Sequence, residues 1–329
     1  MKKFLLVCTL AAGIVAAQSA GAASQDRFSL PQPYLDWERA YLKEFSELQR
    51  IMDLMVETTA RQLKDPSQDI LHNRVCAALA YRMAADLKLG KDEQKLSVLG
   101  DLLHNVSKEE RPLVLTDAQV LKRASELVAR LRQAGHLKKS PRFWTDEKMF
   151  SNPLIGSNLA LIHHITGGIM AGDVLDSLGG YSARDIMRIQ AAIIGHSTGY
   201  WYFRQSIDDI AKVKDAWQNV YPEPEENVAR IAHDADLISQ FEVESVIPEG
   251  SKWRVIAAKR WKAKNAVEEA HIVYYVFQRL FEEARTDAGK ALARAEWLKI
   301  QPELVKLTGL QPAENPIKLL GVPAVFQRN

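Results

Sequence analysis

Cysteine is nearly absent from this chain: its 329 residues contain two, Cys8 and Cys76. Cys8 falls in an N-terminal stretch that reads as a removable leader. Cys76 would then stand alone, which excludes an intramolecular disulfide even in an oxidising compartment. Cys76 sits in an apolar helical run and reads most simply as a core residue, a thiol nucleophile being the lesser reading. A dominant charge sign is also missing. There are 43 Lys and Arg against 41 Asp and Glu, a formal +2, and without Lys2 and Lys3 the two signs balance. Such a protein shows no global attraction to nucleic acid or anionic lipid. No stretch alternates apolar and polar residues as a half-buried strand does, and no internal repeat appears. Beyond the leader, no apolar run is long enough to cross a bilayer. What remains is 47% apolar and 26% charged, an ordinary globular balance on a length that can bury a large core.

The leader is read from three features. Met1-Lys2-Lys3 is a basic start, residues 4–17 form an apolar run too short to span a bilayer well, and Ala20-Gly21-Ala22 is a small-x-small cleavage site. They predict a signal peptide over residues 1–23 and an exported protein, periplasmic in the first place, secreted in the second. The small residues before Ser24 argue against an uncleaved anchor. Val7 stands before Cys8 where a lipoprotein signal needs a small residue.

The rest reads as an all-α chain. Leu35, Tyr41, Phe45, Leu48, Met52 and Met55 recur at spacings near three and four, predicting a helix over 34–63. Asp65-Pro66 ends it and opens a second, over 67–87, which Leu89-Gly90 closes. Further helices are expected over 96–106, 117–134, 155–178, 183–194, 225–245 and 266–300, the last broken at Gly289. Thr116-Asp117-Ala118-Gln119 has the form of a capping box, and Ser182-Ala183-Arg184-Asp185 also looks like a helix start. Pro302, Pro312, Pro316 and Pro323 predict a tail without long helices.

Histidine carries the chemistry. Six of the eight lie in four short segments, each in or beside an apolar run: Leu71-His72; Leu102-Leu103-His104-Asn105-Val106-Ser107-Lys108; His163-His164 together with Ile194-Gly195-His196; and His233-Asp234-Ala235-Asp236. Imidazole and carboxylate are the groups that bind catalytic divalent metals and move protons near neutrality. A His inside an apolar stretch needs a partner, and one shared metal satisfies several at once. Helical spacing puts Asp101 on the face of His104 and Asn105. Gly167 and Gly168, after His164, invite a second backbone to approach.

These segments, in this order over roughly residues 67–245, resemble the HD-domain superfamily of metal-dependent phosphohydrolases. The early His is His72, the His-Asp pair is represented by His104-Asn105 with Lys108 after it, the further histidines are His164 and His196, and the late Asp is Asp236. Gly168, four after His164, fits a His-x-x-x-Gly run. The resemblance implies a helical bundle, residues 67–245, between a helical extension over 24–66 and a C-terminal helical extension with a Pro-containing tail over 246–329. It implies a divalent cation (Mn, Fe, Zn, Ni, Co or Mg) held by His72, His104 and Asp236, with Asn105 as a weak fourth ligand. His164 and His196 would contact phosphate or a second metal, and Lys108 would offset charge on the transferring group. The reaction expected is hydrolysis of a small phosphomonoester or phosphodiester by metal-activated water.

One departure stands out. The family's central Asp is Asn105 here, which brings no charge and takes no proton. Asp101, or secondarily Asp234, is the expected substitute carboxylate and general base. The alternative is an inactive HD fold kept as an envelope binding or scaffolding protein. Tyr200-Trp201-Tyr202-Phe203 then becomes a candidate contact, though core packing of a loop explains it more simply. The basic run over 252–264, with Trp253 and Trp261, reads first as a solvated face. His163 and His233 read as structural, His136 and His271 as incidental.

Overall fold

Among the described residues every regular element is an α-helix, so the all-α expectation holds. The computed structural model describes residues 30–62, 66–107, 117–137, 163–196, 225–261 and 263–309. In chain order the helices are α1 (Tyr34–Glu44), α2 (Leu48–Gln62), α3 (Ser67–Asp86), α4 (Lys91–Leu103), α5 (Asp117–Gln133) and α6 (His163–Leu178). They continue with α7 (Ala183–Gly195), α8 (Asn227–Ile238), the single turn α9 (Val243–Val246), α10 (Lys252–Trp261), α11 (Ala266–Glu282) and α12 (Asp287–Thr308).

The centre is made by α3, α4, α7 and α8. Helix α4 packs on α3, α7 and α8, and α8 also packs on α3 and α7. Their sequences require this. From Val228 to Ile238, α8 buries every residue except Arg230, and a helix that is buried nearly all round must be enclosed by others. Leu96 to Leu103 of α4 are likewise all buried. A Cβ on Gly100 would stand 3.1 Å from that of Ala192, so α4 and α7 touch at small residues.

Two apolar clusters flank this centre, and α3 and α8 belong to both. Ile70 and Ala77 of α3 join Tyr41, Phe45, Leu48, Met55, Leu99 and Ala232. Val75, Cys76 and Met83, on another face of α3, join Leu237, Phe241, Trp253, Phe277 and Trp297. The helices before residue 67 and after 245 thus pack directly onto those that carry the histidines. A buried ion pair, Arg74 Nε to Glu38 Oε2 at 2.8 Å, ties α3 to α1.

Several boundaries differ from expectation for physical reasons. The helix expected over 34–63 is two, because the chain turns at Phe45 with Leu48 N–H on the Phe45 carbonyl. Both pieces bury their apolar side in one cluster, so the periodicity runs on across the break. The helix expected from 96 starts at Lys91, its first turn being polar with Asp92 and Glu93. The span 225–245 stops at Ile238, where Ser239 Oγ donates to the Asp236 carbonyl at 2.7 Å, competing with helix continuation. The break in 266–300 lies at 283–286 rather than at Gly289. Thr286 caps α12, and Gly289 lies inside it, where a Cβ would collide with the Asp234 carboxylate. Pro302 is carried within α12, which buried Ile300 and Leu304 hold to the core until Gly309 closes it at φ 67. The basic run after 252 is helix α10, with Trp253 and Arg254 buried and Arg254 paired to Glu269 at 3.1 Å. The start of α7 is as read, Ser182 Oγ accepting from Asp185 N–H. The leader, Thr116, residues 155–162, Tyr200 to Phe203 and the tail beyond 309 lie outside the described residues.

Asp234 accepts from Arg285 N–H at 2.7 Å, from Thr286 N–H at 2.8 Å and from Thr286 Oγ1 at 2.7 Å. Asp234→Ala should therefore cost about 2–4 kcal/mol of unfolding free energy, since it strands buried donors at the start of α12; urea denaturation measures it. A second test uses pH. Arg188 bridges Glu93 and Glu226, and His136 also bonds Glu226. Burial alone would raise the Glu226 carboxyl, but Arg188 and His136 outweigh it and hold it below its ordinary 4.5. A depressed folded value means full stabilisation above about pH 4.5 that is lost as pH falls through the folded value. Glu226→Gln should lower the urea midpoint at neutrality and flatten its further fall in acid.

Candidate metal centre

The ends of the central helices deliver the chemistry. His72 stands in the second turn of α3, with Cys76 one turn on; Asp236 lies in the last turn of α8. His104 and His196 are the C-caps of α4 and α7. All four helices meet at the centre, so these side chains arrive at one buried place.

The hydrogen bonds there fix where the protons sit. His104 Nδ1 lies 2.6 Å from the Asp101 carbonyl oxygen. A carbonyl only accepts, so Nδ1 is the donor, which leaves Nε2 with a lone pair in the neutral ring. His196 repeats the device, its Nδ1 donating to the Ile193 carbonyl. His72 Nδ1 lies 3.2 Å from Ser239 Oγ, and that hydroxyl gives its own proton to the Asp236 carbonyl. Nδ1 of His72 is therefore the donor as well, and in the neutral ring its Nε2 carries the lone pair.

Those two ε nitrogens lie 3.1 Å apart, and Asp236 Oδ1 is 3.2 Å from His72 Nε2. In that tautomer, atoms bearing lone pairs from three helices converge, with His72 Nε2 at contact distance from each of the other two. Such atoms repel unless a cation, proton or metal, lies among them. Asn105 Nδ2 donates to His104 Nε2 at 2.7 Å, and Asn105 Oδ1 is buried without a partner.

The donor atoms of His72, Cys76, His104 and Asp236 all lie within 4.8 Å of one another, a group fit to hold a metal ion. Cys76 Sγ is 3.8 Å from each nitrogen of His72. Sequence reasoning assigned Cys76 to the core, where it is buried, and did not place it beside the histidines. The signal was present, because His72 and Cys76 are four apart on one helix, the spacing that stacks two side chains on a face.

Asp101 is fully buried and neither carboxyl oxygen has a partner. Burial pushes its carboxyl well up, and the nearby Asp236 and Asp234 push it further. It is not one of the four clustered donors. Asp234 is committed elsewhere, to α12 and to His233 Nδ1 at 3.1 Å. His136 serves Glu226, and His271 meets the Thr308 carbonyl.

Behind the cluster the imidazoles form a row of edge contacts. Ring centroids lie 5.1 Å apart for His72 and His104, 4.7 Å for His104 and His196, and 5.5 Å for both His196–His163 and His163–His164. His163, read from sequence as structural, links His196 to His164. Lys108 lies outside the described residues. Helix α6 also braces the segment after α4, since Ser107 Oγ meets Thr166 Oγ1 at 2.8 Å and donates to the His163 carbonyl at 3.2 Å. The close backbone approach expected at the glycines is present. A Cβ on Gly167 would meet the His104 carbonyl oxygen at 3.1 Å, and one on Gly168 the Gln190 carbonyl at 3.4 Å.

Comparison with models of protein families, with curated proteins and with solved structures finds no match. The site must be argued from its own chemistry.

Gly167→Val should displace the His104 backbone, because the nearest atom is a main-chain oxygen that cannot rotate away. The purified variant should bind less divalent metal than the parent, as read by elemental analysis, while circular dichroism shows the helices intact.

Proposed function

We propose that this chain is an exported, metal-dependent phosphohydrolase of the HD-domain kind, acting on a small phosphomonoester or phosphodiester. One observation carries the reading: the ε nitrogens of His72 and His104 lie 3.1 Å apart, and the carboxylate of Asp236 lies 3.2 Å from that of His72. They are the first, second and last members of the ordered set that resembles the family. The donor chemistry fits a divalent transition metal. When bound, such a cation supplies a water whose pKa falls from about 15.7 toward neutrality and positive charge for a phosphoryl oxygen.

The chain's own residues divide the remaining work. The Asp101 carbonyl and Ser239 Oγ hold the His104 and His72 rings in the tautomer that presents Nε2. Asp101, buried and unpartnered at its carboxyl, is the group for receiving a proton from the attacking water. His196, in edge contact with His104, and His164 beyond it are the groups for the phosphate; Lys108 would neutralise charge on it. Export rests on the leader over residues 1–23, and it makes intracellular nucleotides poor everyday substrates. Among the described residues no helix is long and apolar enough to cross a membrane.

A second reading has its own support. Asn105 turns its amide nitrogen, not its oxygen, to His104, which favours a retired HD fold serving as an envelope binding or scaffolding protein.

The test is the metal content of the purified protein and of Asp236→Ala, followed by hydrolysis of p-nitrophenyl and bis-p-nitrophenyl phosphate. The proposal expects about one or two equivalents of transition metal, lost in the variant, and metal-dependent release of nitrophenol. Metal without hydrolysis of any phosphoester would favour the binding protein. No metal after reconstitution would end the phosphohydrolase reading.

A further inference from the structure

We infer that Cys76 is the anionic ligand that replaces the carboxylate missing at Asn105, and that the centre consequently takes a thiophilic ion such as zinc in preference to magnesium or manganese. This rests on the metal reading of His72, His104 and Asp236.

Charge states the need. A divalent cation among two neutral imidazoles and one carboxylate keeps an uncompensated positive charge, and an uncompensated charge in a buried site is costly. His104 and Cys76 are fully buried, and His72 and Asp236 are only slightly open. Asn105 adds no charge, and its Nδ2 is the amide atom that faces His104 Nε2. Asp101 and Asp234 were the carboxylates expected to substitute. Neither belongs to the group of donors within 4.8 Å of one another, and Asp234 is engaged by Arg285 and Thr286.

Cys76 meets the need by position. It is the one remaining member of that group. Helix α3 carries it one turn from His72, so a single rigid element presents an imidazole and a sulfur to the same point, with Sγ 3.8 Å from either His72 nitrogen. Cysteine binds metals as its thiolate, and the proton leaves to solvent on binding. With Asp236 it makes two negative charges for a divalent ion.

The donor set then selects the ion. Two imidazoles, one thiolate and one carboxylate make a four-donor, partly soft set of the kind zinc and cobalt(II) occupy tetrahedrally. Magnesium needs near-octahedral oxygen donors and keeps its waters. Zinc can also expand to five ligands in the transition state, which leaves room for a reacting water.

Cobalt(II) reports the sulfur directly, through a thiolate-to-cobalt charge-transfer band in the near ultraviolet. The full chain carrying Cys8→Ser, so that Cys76 is its one thiol, is stripped with chelator and titrated with Co2+, then with Zn2+ and Mg2+ in competition. The expected result is stoichiometric cobalt with that band, displacement by zinc and none by magnesium. Adding Cys76→Ser should abolish the band and weaken zinc by at least about tenfold, the loss that follows even from removing groups that only support a ligand. Bound cobalt without the band, or a band that survives Cys76→Ser, overturns the role of Cys76 and leaves the metal centre standing. Displacement by magnesium at equal concentration overturns the selectivity. A folded parent that binds neither cobalt nor zinc overturns this inference and the metal reading together. Where Cys76→Ser fails to fold by circular dichroism, the parent spectrum decides alone.

Discussion

Two imidazole nitrogens and a carboxylate oxygen brought together in the protein interior are the constraint on which the site depends. They come from three helices, with His104 Nε2 3.1 Å and Asp236 Oδ1 3.2 Å from His72 Nε2. None would choose that arrangement for its own sake, since lone pairs repel and burial removes the water that would screen them. The packing of the four central helices imposes it. Such an arrangement is stable when a cation is shared, and that is why a metal is the economical explanation of the site.

The helices serve the site chiefly through their ends and turns. His104 and His196 are both C-caps, and each folds its Nδ1 back onto the carbonyl three residues earlier. A helix end leaves carbonyls without partners, and here two of those carbonyls set the tautomer of a ring. Helix α8 shows the same economy within a few residues. Asp234 holds the start of α12, while Asp236 faces His72 and its carbonyl receives Ser239, which in turn accepts from His72. Because α8 is enclosed nearly all round, each side of it has a neighbour to bind. The C-terminal helices are thereby part of what holds the site.

Asn105 is the place where this site departs from the pattern it resembles, and its surroundings give the departure a meaning. A neutral amide lowers the negative charge of the cluster, and a sulfur stands within the same small volume. The exchange of an oxygen anion for a sulfur anion would keep the charge and change the preferred metal. Asp101 stands outside the cluster of donors. Its carboxyl is fully buried, and burial together with the nearby Asp236 and Asp234 pushes it well up.

By itself the sequence determined the all-α class and most helix positions. Buried helical faces leave a period in the chain, as in α2, α5 and α7, and caps such as Ser182 are local. It also supplied the candidates: the order of the His and Asp segments singled out His72, His104 and Asp236, which the structure brings together. Periodicity could not reveal the turn at Phe45, where both flanking helices bury the same side, or the passage of α12 through Pro302. Nor could it distinguish Asp234 from Asp236, two residues apart on a buried helix. Only the tertiary structure decided which carboxylate faced the imidazoles, that Cys76 joined them, and that His163 linked His196 to His164. Local pattern is a property of one element, whereas a metal centre is a property of where several elements end, and that is fixed by packing between residues far apart in the chain.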